Sequence, residues 1–220
     1  MTHLLHIDCS AVSQGSVSKE LAAAFRKTWA EGRPDGAVVH RDLGVEAIPH
    51  LDEAGITSQF IPSEVQSPEQ KAAGELREKL VEELLGAEAV VVSSPMYNWT
   101  IPSTLKAWID QVLVAGRTLT FGDDPNPLAG RPATLLLSYG GGYTPGAPQE
   151  HWNHVDPYLR TVFEDALGMD LTVITAQLTL AGKVPGMEEL IEMSQKSRED
   201  ALRATEERAG KVTAALAAAA

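Results

Sequence analysis

Residues 87–116 read AEAVVVSSPMYNWTIPSTLKAWIDQVLVAG, and the change of period inside this stretch decides the fold. Residues 87–93 are a short, apolar, β-branched run, as expected of a strand buried on both faces. From Pro102 onward the apolar positions Leu105, Trp108, Ile109, Val112 and Leu113 fall on one face of an amphipathic helix, with Gly116 expected as its C-terminal cap. Between strand and helix lies a loop whose entry and exit are fixed by Pro95 and Pro102.

The same strand-then-helix unit recurs outward along the chain. Strands are predicted over 3–7, 37–41, 87–93, 132–138 and 171–176, and helices near 16–31, 68–85, 102–115, 150–167 and 187–217. Strict alternation of this kind predicts an α/β fold, an open five-stranded parallel sheet of the flavodoxin type with helices on both faces. One domain is expected over residues 1–220, with its ligand at the carboxyl ends of the strands near the switch point. Residues 43–67 and 118–131 exceed ordinary connections and read as functional insertions.

Composition narrows the function classes. Thirty Asp and Glu against eighteen Lys and Arg leave a net charge of −12, so counterion release over a broad face cannot hold a polyanion, which excludes nucleic acid and anionic membrane as partners. No apolar run approaches the roughly 18 residues of a membrane span. Cys9 is the lone cysteine and the opening MTHLLHIDCS has no secretory pattern, so a cytoplasmic location is expected.

Three loops at predicted strand ends carry the chemistry. The first, Asp8-Cys9-Ser10-Ala11-Val12-Ser13-Gln14-Gly15-Ser16-Val17-Ser18, gathers serines and a glycine at a helix N-terminus. Two readings fit it: a phosphate cradle of N–H and hydroxyl donors, or ordinary helix capping. A phosphatase use of Cys9 fails because positions 10 to 18 contain no Arg. A phosphoaspartyl use of Asp8 fails because Ser10 stands where a second Asp is needed. Neither a P-loop nor a G-x-G-x-x-G fingerprint follows the first strand. In the second loop, Met96, Tyr97, Asn98 and Trp99 offer a planar heteroaromatic ligand a stacking wall and a polar edge. In the third, Ser138-Tyr139-Gly140-Gly141-Gly142-Tyr143, consecutive glycines allow a ligand to approach the backbone. One ligand lying across the top of the sheet accounts for all three loops. His151, His154 and Asp156 lack an HExxH pattern or cysteine support, so no metal is expected there.

These residues carry a resemblance. The chain resembles the FMN-dependent NADH-azoreductases, also described as NADH:quinone oxidoreductases, over nearly its whole length. The most specific element is PMYNW-x-IP-x-x-LK-x-WID, from Pro95 to Asp110, supported by the serines at Ser10 to Ser18 and by S-Y-GG at Ser138 to Gly141. The resemblance implies a cytoplasmic homodimer with one FMN per subunit near the interface. Ser10, Ser16, Val17 and Ser18 would hold the phosphate, Met96, Tyr97, Asn98 and Trp99 would line the isoalloxazine ring, and Ser138, Tyr139, Gly140 and Gly141 would meet its pyrimidine edge. Tyr139 stands where familiar members have Arg, Trp99 replaces a Phe, and residues 175–183, TAQLTLAGK, depart from the family's segment.

The implied activity is two-electron transfer from NADH, or NADPH, to quinones and azo compounds by a ping-pong mechanism. The absence of Arg and Lys from the ligand loops leans toward NADH. The hydride chemistry belongs to the flavin, so no catalytic acid or base is assigned. Tyr143, His151, Trp152, Phe60 and Phe121 are expected around the substrate, the two Phe from the partner subunit. The alternatives are a flavodoxin-like FMN-binding electron carrier, an NAD(P)H:FMN reductase, or a flavin-free interaction protein.

Overall fold

The computed structural model describes residues 3–120, 124–143 and 145–219. Five strands, β1 (His3–Asp8), β2 (Ala37–Asp42), β3 (Ala87–Pro95), β4 (Pro132–Ser138) and β5 (Asp170–Ala176), form one sheet in the order β2-β1-β3-β4-β5. Every pairing is parallel. This is the predicted flavodoxin-like sheet, and the reversal of strand order falls between β1 and β3.

Alternation along the central strands builds two cores. Leu5, Ile7, Val90, Val92, Leu135 and Leu137 face one layer, and Leu4, Ala89, Val91 and Leu136 face the other. The first layer is covered by α3 (Pro68–Gly86), α4 (Ser103–Val112) and α5 (Asp156–Arg160), through residues such as Leu80, Leu84, Trp108, Val112 and Leu159. The second is covered by α1 (Val17–Gly32) and α6 (Ile191–Ala218), through Leu21, Phe25, Trp29, Ala209 and Val212. Both faces of the sheet are therefore closed by helices, as its apolar central strands demand.

Side-chain hydrogen bonds set the helix boundaries, and here the structure corrects the periodicity. The helix expected over 102–115 stops at Val112, with Leu113 as its C-cap in place of Gly116. The fully buried Thr118 hydroxyl donates to the Val112 carbonyl at 2.5 Å and accepts from the Val114 N–H at 2.9 Å, which draws the chain out of the helix. Gly116 sits instead in the following turn at φ 75°. The helix expected over 150–167 is broken: Asn153 Oδ1 accepts from the N–H groups of Val155 (3.1 Å) and Asp156 (3.2 Å). This separates a turn at Glu150–Trp152 from α5, which runs on into one wider, π-helical turn at Thr161–Ala166. The helix expected from 187 begins as a short turn at Glu188–Leu190 before α6.

The insertion over 43–67 contains a sixth helix, α2 (Glu53–Thr57), capped by Asp52. Polar side chains stitch it to α3. The buried Arg77 donates to the Gly55 carbonyl at 2.7 Å and to Ser58 Oγ at 3.1 Å, and Gln70 Nε2 donates to Thr57 Oγ1 at 2.8 Å.

Thr118→Val removes the only acceptor that Val114 N–H has among the described residues. We expect urea unfolding to show a loss of about 1–3 kcal/mol, largely restored in Thr118→Ser. An unchanged midpoint would mean that the helix end is set elsewhere.

Candidate functional site

The carboxyl ends of β1, β3, β4 and β5 are joined loop to loop by hydrogen bonds. Ladder bonds continue one residue past the strands: Cys9 N–H donates to Ser93 O, Met96 N–H to Ser138 O and Tyr139 N–H to Ala176 O, each at 2.9 Å. Above them Ala11 N–H donates to Tyr97 Oη at 3.2 Å, and His154 N–H to Trp99 O at 3.0 Å. Leu178, Thr179 and Leu180 N–H donate to the carbonyls of Gly141, Tyr139 and Gly140 at 3.0–3.2 Å. Four loops thus form one connected rim.

The serine loop ends in the N-terminus of α1. Ser16 is the N-cap, with its hydroxyl accepting from Lys19 N–H at 3.4 Å and lying 3.2 Å from the buried Ser18 hydroxyl. Val17 and Ser18 N–H, in the first turn, have no intrahelical acceptor. Ser10 is buried and its hydroxyl accepts from Val12 N–H at 3.2 Å. Beside Gly15, Ser16 and Val17 opens a cavity of about 470 Å³ that Lys19, Lys183 and Arg198 also line. The sequence reading placed no cation here, because Lys183 and Arg198 come from the loop after β5 and from α6. Lys19 pairs with Asp42 at 2.6 Å and Arg198 with Glu20 at 2.5 Å. Burial pushes the Cys9 thiol up, so it stays protonated, a small residue at a strand end.

A further residue escaped the sequence reading. A methyl group on Gly44 would overlap the Ser10 carbonyl oxygen, so the segment after β2 supports the serine loop by close backbone approach.

The second loop is a two-residue turn. Tyr97 N–H donates to Thr100 O at 3.0 Å and Thr100 N–H to Tyr97 O at 3.1 Å, while Asn98 and Trp99 take φ of 48° and 67°. Asn accepts the left-handed region readily, whereas Trp does so only under strain. The strained Trp99 is 47% exposed and meets Trp152, 41% exposed, edge to face at 5.4 Å. With Asn98, Thr100 and His154 they line a cavity of about 520 Å³. Trp152 thus lines this cavity beside Trp99. His154 lines this cavity and His151 does not; the His151 ring meets that of Trp152 edge to face, with centroids 5.7 Å apart. Met96 and Tyr143 are half-buried against the core.

In the glycine loop the side chain of Tyr139 lies in the core, 6.1 Å from the Tyr143 ring, and burial raises its phenol to about 12. Its own N–H and carbonyl are used by Ala176 and Thr179, so its part is to hold the glycines in place. Among the described residues, the N–H groups of Gly140, Gly141 and Gly142 donate to no protein acceptor. Phe60 is 80% exposed on the 43–67 insertion and lines neither cavity; Phe121 lies outside the described residues.

Underneath the serine loop, the buried Asp8 carboxylate accepts from Ser93 Oγ, His6 Nε2 and His40 Nε2. Burial alone would raise its pKa, but these bonds hold it well below the usual carboxylate range. Burial likewise lowers His6, against the pull of Asp8.

Comparison with known proteins agrees with this geometry. A family described as flavodoxin-like fold matches residues 2–208. The FMN-dependent NADH:quinone oxidoreductase of Parafrankia sp. is 44% identical over 212 residues, 95% of this chain and 99% of the relative. That of Frankia casuarinae is 40% identical over 209 residues, with the same coverage. Among solved structures, an FMN-dependent NADH-azoreductase from Bacillus anthracis in complex with FMN superposes with a TM-score of 0.82 at 20% identity, over 97% of this chain and 100% of that one. At that identity the likeness is one of fold. No helix of the described residues is long and apolar enough to cross a membrane.

Gly44→Ala is expected to push the Ser10 loop off its seat. Hydrogen exchange at Ala11 and Val12 should accelerate at least tenfold while the β3 amides stay protected. Unchanged exchange at those two residues would refute the supporting role of Gly44.

Proposed function

The chain belongs to the flavodoxin-like fold family, and from that premise we propose that it is an FMN-dependent oxidoreductase carrying two electrons from NADH to quinones and azo compounds. The observation that carries this reading is the connected rim: a helix N-terminus with serine donors, a strained aromatic turn and an N–H-rich glycine loop stand together at the switch point. FMN would supply the hydride chemistry when bound, and the ping-pong reading has donor and acceptor use one site in turn.

The residues fit that group. N–H groups of Val17 and Ser18, with the hydroxyls of Ser10 and Ser16, would hold the phosphate by dipoles, and Lys183 and Arg198 add charge nearby. Met96, Tyr97, Asn98 and Trp99 would line the ring, with Trp99, at φ 67°, lining the cavity beside it. The N–H groups of Gly140 and Gly141 would stabilise negative charge at the pyrimidine edge with no titrating side chain. Ser138 and Tyr139 act there by fixing the strand end. The Trp99, Trp152 and His154 cavity would take the planar acceptor, excluding water with its two indoles.

The reading extends to one FMN-binding domain over residues 1–220, a cytoplasmic location and a homodimer. The 43–67 insertion supports the dimer. It is tied to α3 through polar bonds and presents Phe60 and Val65, 80% and 72% exposed, to the outside.

Purified protein should be yellow, with a band at roughly 450 nm that bleaches on adding NADH and returns with a quinone. A colourless protein that takes up no FMN overturns the reading, and a yellow protein that NADH does not bleach leaves only an electron carrier. In Gly141→Val the new side chain first meets the Tyr143 ring, at 3.2 Å, which can give way. We therefore expect a folded but colourless variant.

The pair Phe60→Asp and Val65→Asp should sediment as a monomer where the parent sediments as a dimer. Identical sedimentation would remove the insertion from the interface.

A further inference from the structure

The glycine loop is clasped by the segment that follows β5, Gln177-Leu178-Thr179-Leu180. Leu178, Thr179 and Leu180 N–H donate to the carbonyls of Gly141, Tyr139 and Gly140 at 3.2, 3.0 and 3.2 Å, and Gln177 Oε1 accepts from Tyr143 N–H at 3.0 Å. Gln177 N–H in turn donates to Ser197 Oγ of α6 at 2.9 Å, which anchors the segment to a helix. Successive N–H groups of an extended chain point to opposite sides, so three in a row reach one loop only where the chain turns. Leu178 makes that turn at φ 60°. A leucine occupies the left-handed region only under strain, and such strain persists where the surroundings over-determine it.

Side chains press on the same loop. A methyl group on Gly140 would stand 2.7 Å from Leu180 Cδ1, one on Gly141 3.2 Å from the Tyr143 ring and one on Gly142 3.6 Å from Leu178 Cδ2. At all three glycines, then, the side on which a side chain would project is occupied by protein. The carbonyls of Tyr139, Gly140 and Gly141 are taken up by the clasp, while the N–H groups of Gly140, Gly141 and Gly142 donate to no protein acceptor among the described residues. We propose that residues 177–180 are a positioning clamp, which fixes these N–H donors and thereby raises the reduction potential of the bound flavin. The proposal rests on the FMN reading above.

Uptake of two electrons leaves negative charge on the pyrimidine edge of a flavin, and donors already aimed at that edge stabilise the charge without reorganising. Donors that must first be oriented stabilise it less, so a loosened loop favours the oxidised form. Neither 140–142 nor 177–180 contains an ionisable side chain. Burial raises the Tyr139 phenol to about 12, so that group is neutral at pH 7. The charge on the reduced flavin is therefore met here by dipoles, and the clamp decides where they stand. Leu178, Thr179 and Leu180 act through the glycines and need not touch the flavin themselves.

The test compares Thr179→Pro with Thr179→Ala in FMN-saturated protein. Proline removes the N–H that binds Tyr139 O and biases Leu178 toward extended backbone, whereas alanine keeps the donor. We expect the proline variant to weaken its hold on reduced FMN at least tenfold more than on oxidised FMN, which for a two-electron couple lowers the midpoint potential by about 30 mV or more. Thr179→Ala should keep the parent's potential. Leu180→Ala uncovers Gly140 and leaves every backbone bond in place; it should lower the potential too, and it decides the matter if the proline variant does not fold. In flavin-free protein the Leu178 and Leu180 amides should exchange with deuterium faster in Thr179→Pro than in Thr179→Ala. An unmoved potential in folded Thr179→Pro or in Leu180→Ala, an equal fall in Thr179→Ala, or equal exchange in the two Thr179 variants overturns the proposal. A colourless parent overturns the oxidoreductase reading as well, whereas a yellow parent whose variants keep its potential leaves that reading standing.

Discussion

The pairing of β1 with β3 is the contact on which the rest of the molecule depends. β1 is bonded in parallel to β2 on one side and to β3 on the other, so the chain must leave the sheet in opposite directions after each. After β1 it enters α1 against one core, and after β3 it enters α4 against the other. The two helices therefore diverge from adjacent strand ends and leave a crevice between them. No side chain makes that crevice; it follows from right-handed crossovers on a sheet whose order reverses at this point.

What fills the rim of the crevice is backbone polarity. Parallel strands end with unpaired N–H groups and carbonyls, and here the carbonyls of residues 139–141 are absorbed by the loop after β5, leaving the glycine N–H groups as donors. The N-terminus of α1 contributes more N–H groups with the same sense of dipole. That arrangement gives a chain of net charge −12 a local cluster of N–H donors suited to an anion. Fixed dipoles at a few ångströms outweigh distant carboxylates that solvent screens. Two of the three cations lining the cavity there, Lys19 and Arg198, are each paired with a carboxylate, Asp42 and Glu20, which leaves the N–H dipoles as the main attraction.

Much of this was legible because it is local. Short apolar runs located the five strands to within a residue or two, and the i, i+3, i+4 pattern located α4 because Leu105, Trp108 and Ile109 all turn to one core. The two serine readings proved compatible, since Ser16 caps α1 while the first-turn N–H groups remain available. The helix boundaries that failed were set by single polar side chains, which apolar periodicity does not register. Thr118 ends α4 from outside the helix, and Asn153 divides a continuous apolar pattern by capping α5. Gly44 matters through the Ser10 carbonyl, 34 positions earlier in sequence. The motif places Tyr139 in a ligand loop, and strand parity turns its ring into the core on the same side as Leu135 and Leu137. A period-2 count from β4 would have revealed that, whereas Lys183 and Arg198 needed the topology itself.

The His6, Asp8 and His40 cluster shows where such parity has further consequences. In β1, Leu5 and Ile7 belong to one core, which obliges His6 and Asp8 to face α1 together. A fully apolar strand would suffice for packing at these positions, since Leu4 and Leu136 fill the same layer lower down. Burying a carboxylate and an imidazole there carries a desolvation cost that hydrogen bonds from Ser93 and His40 must offset. The arrangement also ties β1 to β2 and β3 by side chains at the level where the backbone ladder gives way to the serine loop. Three strands fixed through one carboxylate give the serine loop a rigid base. Polar groups at the strand ends thus do for the loop what the apolar alternation does for the sheet: both set a position through contacts across strands.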